Sequence, residues 1–349
     1  MHSRTHVSGI LLSFILLAFT VTVNAASIND ETAIPQSSPA NSTDSTDSVK
    51  LWLDKMARAS QVLNYDGYLV YQSGVQLESL KVVHRVDEQG IYEKIATLSG
   101  PRSEVIRDGG VVQCRLDDES NFARTQRFTS GFFPQLPVQQ LVNPDSSYHM
   151  SFSGNDRIAG LDTRVIIIQP IDRYRYGLKL WIDESSGLLL RSAIINHRGK
   201  VIEQAMFTNI NIGIARKMDM LIPSSPGTTN SFDLSDVSSS RSSQPGGQSP
   251  WFVSQLPQGF KLTAYTVETE NDIDTQHLVY SDGVAFVSVY IHENMPKDQV
   301  PLNGLSRFGA MNVFGEFNKE RFILAVGEVP ALTVASIARS VKPVLSQPK

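Results

Sequence analysis

Residues 178–207 read Leu-Lys-Leu-Trp-Ile-Asp (178–183), Glu-Ser-Ser-Gly (184–187), Leu-Leu-Leu-Arg-Ser-Ala-Ile-Ile (188–195), Asn-His-Arg-Gly-Lys (196–200) and Val-Ile-Glu-Gln-Ala-Met-Phe (201–207). Two turn-forming clusters, each with a glycine (Gly187, Gly199), separate three short runs of β-favouring residues, which predicts an antiparallel meander. Alternation along the first run puts Leu178, Leu180 and Ile182 on one face and Lys179, Trp181 and Asp183 on the other. The meander holds no obvious reactive side chain. It is patterned to present an apolar surface, so it points to binding before catalysis.

Outward from the meander, short strand signals recur over Tyr68–Tyr71, Leu80–Val86, Ile91–Ala96, Glu104–Arg107, Val111–Arg115, Tyr148–Phe152 and Thr163–Ile168. Regular strands with turn residues between them predict one large curved antiparallel sheet. A helix precedes it: Val49, Trp52, Leu53 and Met56 stand at i, i+3, i+4 and i+7, with Asp47 or Ser48 as N-cap. Phe128 to Val142, with Phe132-Phe133-Pro134 and Leu136-Pro137, reads as an apolar loop leading into a short helix.

The chain divides by composition. Residues 1–25 have the form of a secretory signal peptide: Arg4, an apolar run from Gly9 to Val21, and small residues at Val23-Asn24-Ala25. The run is shorter than the ~20 residues that span a bilayer, so export with cleavage after Ala25 is expected over a membrane anchor. Residues 26–48 are rich in Ser, Thr and Asp and read as a disordered leader. Residues 49–222 hold the sheet. Residues 223–250 contain ten serines, four prolines and three glycines, a linker with a reach of ~30 Å if it behaves as a flexible coil. Residues 251–342 read as strands Lys261–Thr269, Thr275–Tyr280, Val284–His292, Met311–Glu316 and Arg321–Val326, then a helix after Pro330 with Val334, Ile337, Ala338 and Val341 on one face and Arg339 and Lys342 in its last turn. That is a small α+β domain.

Composition narrows the function. Removing residues 1–25 leaves 30 basic and 35 acidic residues, a net charge of −5, which argues against nucleic acid as the main partner. The one cysteine, Cys114, excludes an internal disulfide and an N-terminal lipid anchor. It sits in a strand-like run as a buried thiol, with a covalent dimer or a redox role as the alternative. His84, His149, His197, His277 and His292 are too scattered for a zinc helix. No G-x-S-x-G, phosphate loop or dinucleotide fingerprint occurs, so neither enzyme nor cofactor is called for; Gly246-Gly247 lies in the linker with no strand feeding it. Asp117-Asp118-Glu119 and Asp183-Glu184 read as turn residues. Arg173 and Arg175 alternate with Tyr174 and Tyr176, which suits either a solvated strand face or a phosphate or sugar site at a sheet edge.

Several words of the sequence carry a resemblance: Trp52-Leu53-Asp54-Lys55-Met56; Tyr65-Asp66-Gly67; Leu180-Trp181-Ile182-Asp183 followed by Ser186-Gly187-Leu188-Leu189-Leu190-Arg191; Leu256-Pro257-Gln258-Gly259-Phe260; Tyr280-Ser281-Asp282-Gly283; and Gly327-Glu328-Val329-Pro330-Ala331. With the two-domain layout, the chain resembles the MucB/RseB family of periplasmic regulators of the envelope-stress sigma factor. The Leu-Trp-Ile-Asp…Gly-Leu block alone is similar to periplasmic lipoprotein carriers of the LolA/LolB type as well.

The resemblance implies a larger domain built as a half-open β-barrel wrapped round helices, with an apolar cavity for acyl chains. It implies a protein that binds the periplasmic segment of a membrane anti-sigma factor, shields it from regulated proteolysis, and is released by lipid or lipopolysaccharide. The expected lipid-binding residues are Tyr68, Val70, Leu178, Leu180, Ile182, Leu190, Ile194 and Met206 on apolar strand faces, with Phe132 and Phe133 as a mobile lip; each also suits an ordinary core. A lipid or lipoprotein carrier is the competing reading, and a hydrolase is disfavoured by the missing nucleophile motif. Self-association is left open.

Overall fold

In the computed structural model the meander is present as expected. Strands β8 (Gly177–Asp183), β9 (Leu189–Ile195) and β10 (Val201–Ile212) pair antiparallel, with Leu180 opposite Ser192 and Ser192 opposite Ala205. The first turn is closed by the buried Asp183, whose Oδ2 accepts the Ser186 N–H (2.7 Å) and hydroxyl (2.6 Å). Gly187, at φ +82°, occupies the left-handed conformation this turn needs. The structure describes residues 42–100, 102–108, 111–116, 133–134, 136–143, 146–213, 230–233, 249–270, 273–293, 302–318 and 321–344. The signal segment, Phe132, Asp117-Asp118-Glu119 and Gly246-Gly247 lie outside them.

The rest of the large sheet is β1 (Tyr65–Ser73), β2 (Gln76–Asp87), β3 (Gly90–Thr97), β4 (Ser103–Asp108), β5 (Val111–Leu116), β6 (Tyr148–Ile158), β7 (Leu161–Pro170) and β11 (Asn230–Asp233). The spatial order is β11-β5-β4-β3-β2-β1-β10-β9-β8-β7-β6, antiparallel at every step. Chain order thus runs outward from β1 to β5, restarts at the opposite edge with β6, and returns through the meander until β10 pairs with β1. A bulge falls between Tyr68 and Leu69. Just before it, a Cβ on Gly67 would collide with the Asn209 carbonyl oxygen and crowd the Phe207 ring, so the Tyr-Asp-Gly word marks a close backbone approach. The strand β11 lies within residues 223–250: part of the expected linker returns to extend the sheet beyond β5.

Helix α1 (Ser42–Val62) starts earlier than the spacing predicts, so Asp47 and Ser48 are inside it and neither caps it. Its Val49, Leu53 and Met56 are buried as expected. They pack with Val138 and Leu141 of the short α2 (Val138–Leu141) against Ile166, Ile168, Leu180 and Ile182. A second cluster holds Tyr65, Leu69, Leu80, Val82, Ile95, Val105 and Phe207 of the other half of the sheet. Full burial of such aliphatic and aromatic side chains contributes about 2 kcal/mol each.

The smaller domain is a six-stranded antiparallel sheet ordered β13-β14-β15-β18-β17-β16: β13 (Lys261–Glu270), β14 (Ile273–Ser281), β15 (Phe286–Glu293), β16 (Gly304–Phe308), β17 (Met311–Asn318) and β18 (Arg321–Gly327). Helix α3 (Ala331–Arg339) covers it, burying Val334, Ile337 and Ala338. The helix is shorter than expected. Ser340 ends it, and Val341 and Lys342 belong to β19 (Val341–Pro343), which pairs with β12 (Trp251–Val253). Pairing with the β12 segment replaces one more helical turn there: the Ser254 N–H donates to the Ser340 carbonyl (2.9 Å) and the Val344 N–H to the Pro250 carbonyl (2.7 Å). The stretch Gly304–Phe308, outside the strands expected from the sequence, is the edge strand β16.

Candidate functional site

Strand parity decides which side chains face the α1 side of the large sheet. Register runs Met150–Ile168–Leu178–Ile194–Glu203 and Phe152–Ile166–Leu180–Ser192–Ala205 across β6, β7, β8, β9 and β10. It continues to β1 through Tyr71 opposite Ala205 and Leu69 opposite Phe207. On this face lie two cavities of about 360 Å³ each. Both fall at the low end of the ~300–1,000 Å³ usual for ligand sites.

The first cavity has a floor of Tyr71, Leu178, Ile194 and Ala205 from the large sheet, and a roof of Gly283, Val284, Ala285, Phe286 and Gly327 from the smaller domain. The second lies between α1 (Met56, Ser60) and Leu69, Val82 and Ile95, with a polar flank of His84, Glu93 and Arg107. There His84 stacks on Tyr65 (centroids 4.7 Å), and Arg107 pairs with Glu93 at 2.5 Å. Phe133, Pro134 and Leu136 line both cavities. The Phe133 ring, stacked on Phe207 at 5.6 Å, is a wall common to both.

The expected binding residues separate accordingly. Leu178 and Ile194 face each other across β8 and β9 and line the first cavity, and Phe133 lines both. Leu180, Ile182 and Leu190 are fully buried in packed core. Tyr68, Val70 and Met206 lie on the opposite face: Val70 pairs with Met206, and Met206 with Arg191, whose guanidinium stands 4.0 Å over the Trp181 ring. Parity is the reason. In Tyr68-Leu69-Val70-Tyr71 both faces are apolar, and it is Leu69 and Tyr71 that turn inward.

The Arg173–Tyr176 stretch is not a strand, and neither reading of it holds for Arg175. Residues 171–176 form a loop between β7 and β8, and Arg175 is 1 % exposed. Its guanidinium pairs with Asp172 of the same loop and, in the smaller domain, with the Asp282 carboxylate and the Gln258 carbonyl. Tyr148 donates its hydroxyl to the same Asp282 oxygen (3.0 Å), and burial, then the Asp282 charge, raise that phenol above its ordinary pKa. Further joints between the domains are Ala310 N–H to Glu203 Oε2 (3.1 Å), Asn312 Nδ2 to the Tyr176 hydroxyl (3.0 Å) and the Thr333 hydroxyl to the Tyr174 carbonyl (2.7 Å). Nothing local in the sequence points to Asp282 or Glu203 as partners, because these contacts span more than a hundred residues.

Among the described residues no group of three or more His, Cys, Asp or Glu side chains is placed to hold a metal ion, and no helix is long and apolar enough to cross a membrane. The arrangement is that of a two-domain binding protein: apolar cavities on the inner face of an antiparallel sheet, one of them roofed by a second domain. The MucB/RseB N-terminal domain model matches residues 48–225 and the MucB/RseB C-terminal domain model residues 245–342. The chain belongs to the MucB/RseB family.

It is 28% identical over 296 residues to the sigma-E factor regulatory protein RseB of Haemophilus influenzae, covering 84% of this chain and 91% of that one. It is 27% identical over 332 residues to the sigma factor AlgU regulatory protein MucB of Pseudomonas aeruginosa, covering 89% and 94%. The fold matches MucB in the P. aeruginosa MucA/MucB complex with a TM-score of 0.66 at 25% identity, over 86% of this chain and all of that one. A crystal structure of MucB matches with a TM-score of 0.61 at 26% identity, over 87% and 99%.

Proposed function

We propose that this protein is a periplasmic, non-enzymatic regulator that binds the periplasmic segment of a membrane anti-sigma factor. By shielding that segment from regulated proteolysis it holds the sigma-E envelope stress response down, and lipid or lipopolysaccharide relieves the shielding. The observation that carries this reading is the match along nearly the whole chain, both domains included, to MucB as it stands in complex with MucA. In this reading the large sheet acts as a half-open barrel wrapped round α1 and α2, of the LolA/LolB kind, and the cavities lined by Leu178, Ile194 and Phe133 take acyl chains.

A lipid or lipoprotein carrier is the second reading, supported by the apolar cavities themselves. The smaller domain favours the regulator, since a shuttle needs only a cavity. Calorimetry of residues 26–349 against the periplasmic segment of the same bacterium's anti-sigma factor, with and without lipopolysaccharide, separates the two. Binding that lipopolysaccharide weakens is the expected result; no binding in either condition leaves the carrier.

A further inference from the structure

The turn that roofs the first cavity also carries one of the joints between the two domains. Asp282 uses Oδ1 to accept the backbone N–H groups of Val284 (2.9 Å) and Ala285 (2.8 Å), which shapes the roof. It uses Oδ2 to meet Arg175 and Tyr148 of the larger domain. Raising Val284 and Ala285 therefore draws the Asp282 carboxylate away from a guanidinium that is itself buried. The other flank is similar: Glu203 lines the cavity and accepts the Ala310 N–H from the smaller domain. With the domains closed the space is about 360 Å³, the low end of known ligand sites. A chain that fills it and continues cannot displace the floor, which is the hydrogen-bonded sheet; it must pass the Phe133 wall or lift the roof, and the roof is the boundary tied to the domain joints.

We propose that the acyl site is composite, shared by both domains, and that an acyl chain and closure of the Asp282–Arg175 and Glu203–Ala310 joints exclude one another. This rests on the acyl-binding regulator reading above and supplies its coupling. The ligand favours the open arrangement, the anti-sigma segment the closed one, and each weakens the other through that single equilibrium.

The closed state can be trapped. A Cβ on Gly309 would stand 3.3 Å from the Ser73 Cβ, near the ~3.5–4.5 Å of a disulfide, and 2.5 Å from Glu203 Oε2, so Ser73→Cys/Gly309→Cys in a Cys114→Ser background would cross-link the domains with a shift of the Glu203 carboxylate. The rate of cross-linking by oxidised glutathione is measured with and without dodecanoate, and binding of the anti-sigma segment is then measured before and after cross-linking. Dodecanoate is expected to slow cross-linking roughly tenfold, within the usual range of coupling between sites. The cross-linked protein is expected to hold the segment with an affinity dodecanoate no longer lowers, and reduction restores the sensitivity.

An unchanged cross-linking rate, or a cross-linked protein as sensitive as the reduced one, overturns the composite site. Slower cross-linking without any loss of segment binding instead supports the composite site and sinks the antagonism. Gly309 has φ +63°, a strained position for cysteine. Should the reduced double variant fail to bind the segment, Asp282→Asn in the parent chain decides. It is expected to lower the dodecanoate concentration that halves binding several-fold, and no change or a rise contradicts the proposal.

Discussion

Glu203 of the larger domain accepts the Ala310 N–H of the smaller one at 3.1 Å, and the same carboxylate oxygen lies 3.4 Å from the Ser73 hydroxyl. Glu203 is 4 % exposed, so an alternative partner for that amide from solvent is remote. Glu203→Ala is expected to lower stability by about 1–3 kcal/mol, the cost of a stranded buried donor. Glu203→Gln, which keeps an acceptor, is expected to lose much less. Urea unfolding of the two variants checks this, and equal losses would mean that the amide contact contributes little.

Arg175 makes the larger demand. Its side chain is fully buried and Asp282 nearly so, and removing one member of such a pair strands the other charge. Arg175→Met is expected to cost about 3–5 kcal/mol, and Arg175→Lys to recover only part, since one ammonium cannot match a forked set of contacts. Arg175→Met combined with Asp282→Asn is expected to lose less than the sum of the single changes. Chemical denaturation of the three variants gives the coupling directly.

This pair also marks the boundary of what sequence reading reaches. The meander, its two turns, the strand positions and the inward face of α1 follow from period and turn chemistry that lie within a few residues of each other. The fate of Arg175 does not, because its partners Gln258 and Asp282 are 83 and 107 residues away. Alternation was insufficient for a second reason at Tyr68 and Val70: both faces of that strand are apolar, so composition cannot choose between them, and only pairing with the neighbouring strand, Leu69 opposite Phe207 and Tyr71 opposite Ala205, shows which face turns inward. Leu178 and Ile194 were legible as cavity residues because they alternate with Lys179 and Ala193 on a strand pair whose inward face is settled by Leu180. The edge strand β11 was hidden by its serine-rich surroundings, which read as coil.

On the outer face, the Trp181 indole N–H donates to Asp156 Oδ2 at 2.8 Å. The Asp156 carboxyl is held below the usual carboxylate range, first by the Arg157 backbone N–H and then by that indole. Because its folded pKa is depressed, the stabilisation is present above the ordinary carboxylate pKa of about 3.9 and is lost as pH falls through the lower folded value. Asp156 is exposed, so solvent screens its contacts, and Asp156→Ala is expected to lower stability by only ~0.2–0.5 kcal/mol at neutral pH, with the gap to the parent closing as pH drops below about 4. A gap that persists unchanged in acid would assign the loss to packing.

Phe133 separates the two cavities and is half-buried against Phe207. Phe133→Ala is expected to cost about 2 kcal/mol, below the ~3–5 kcal/mol of a fully buried phenylalanine. It is also expected to join the cavities, so that the preferred fatty-acid chain becomes longer. Displacement of a fluorescent fatty acid by C8 to C16 chains measures this shift, and an unchanged preference would remove Phe133 from the acyl site.

The most direct test of the regulator reading is proteolysis in a reconstituted system. The purified anti-sigma periplasmic segment is mixed with the periplasmic protease that cleaves it, and the cleavage rate is followed with this protein absent, present, and present with lipopolysaccharide. The reading predicts slow cleavage when the protein is present and recovery of the rate on adding lipopolysaccharide. Cleavage at the same rate in all three mixtures would contradict it.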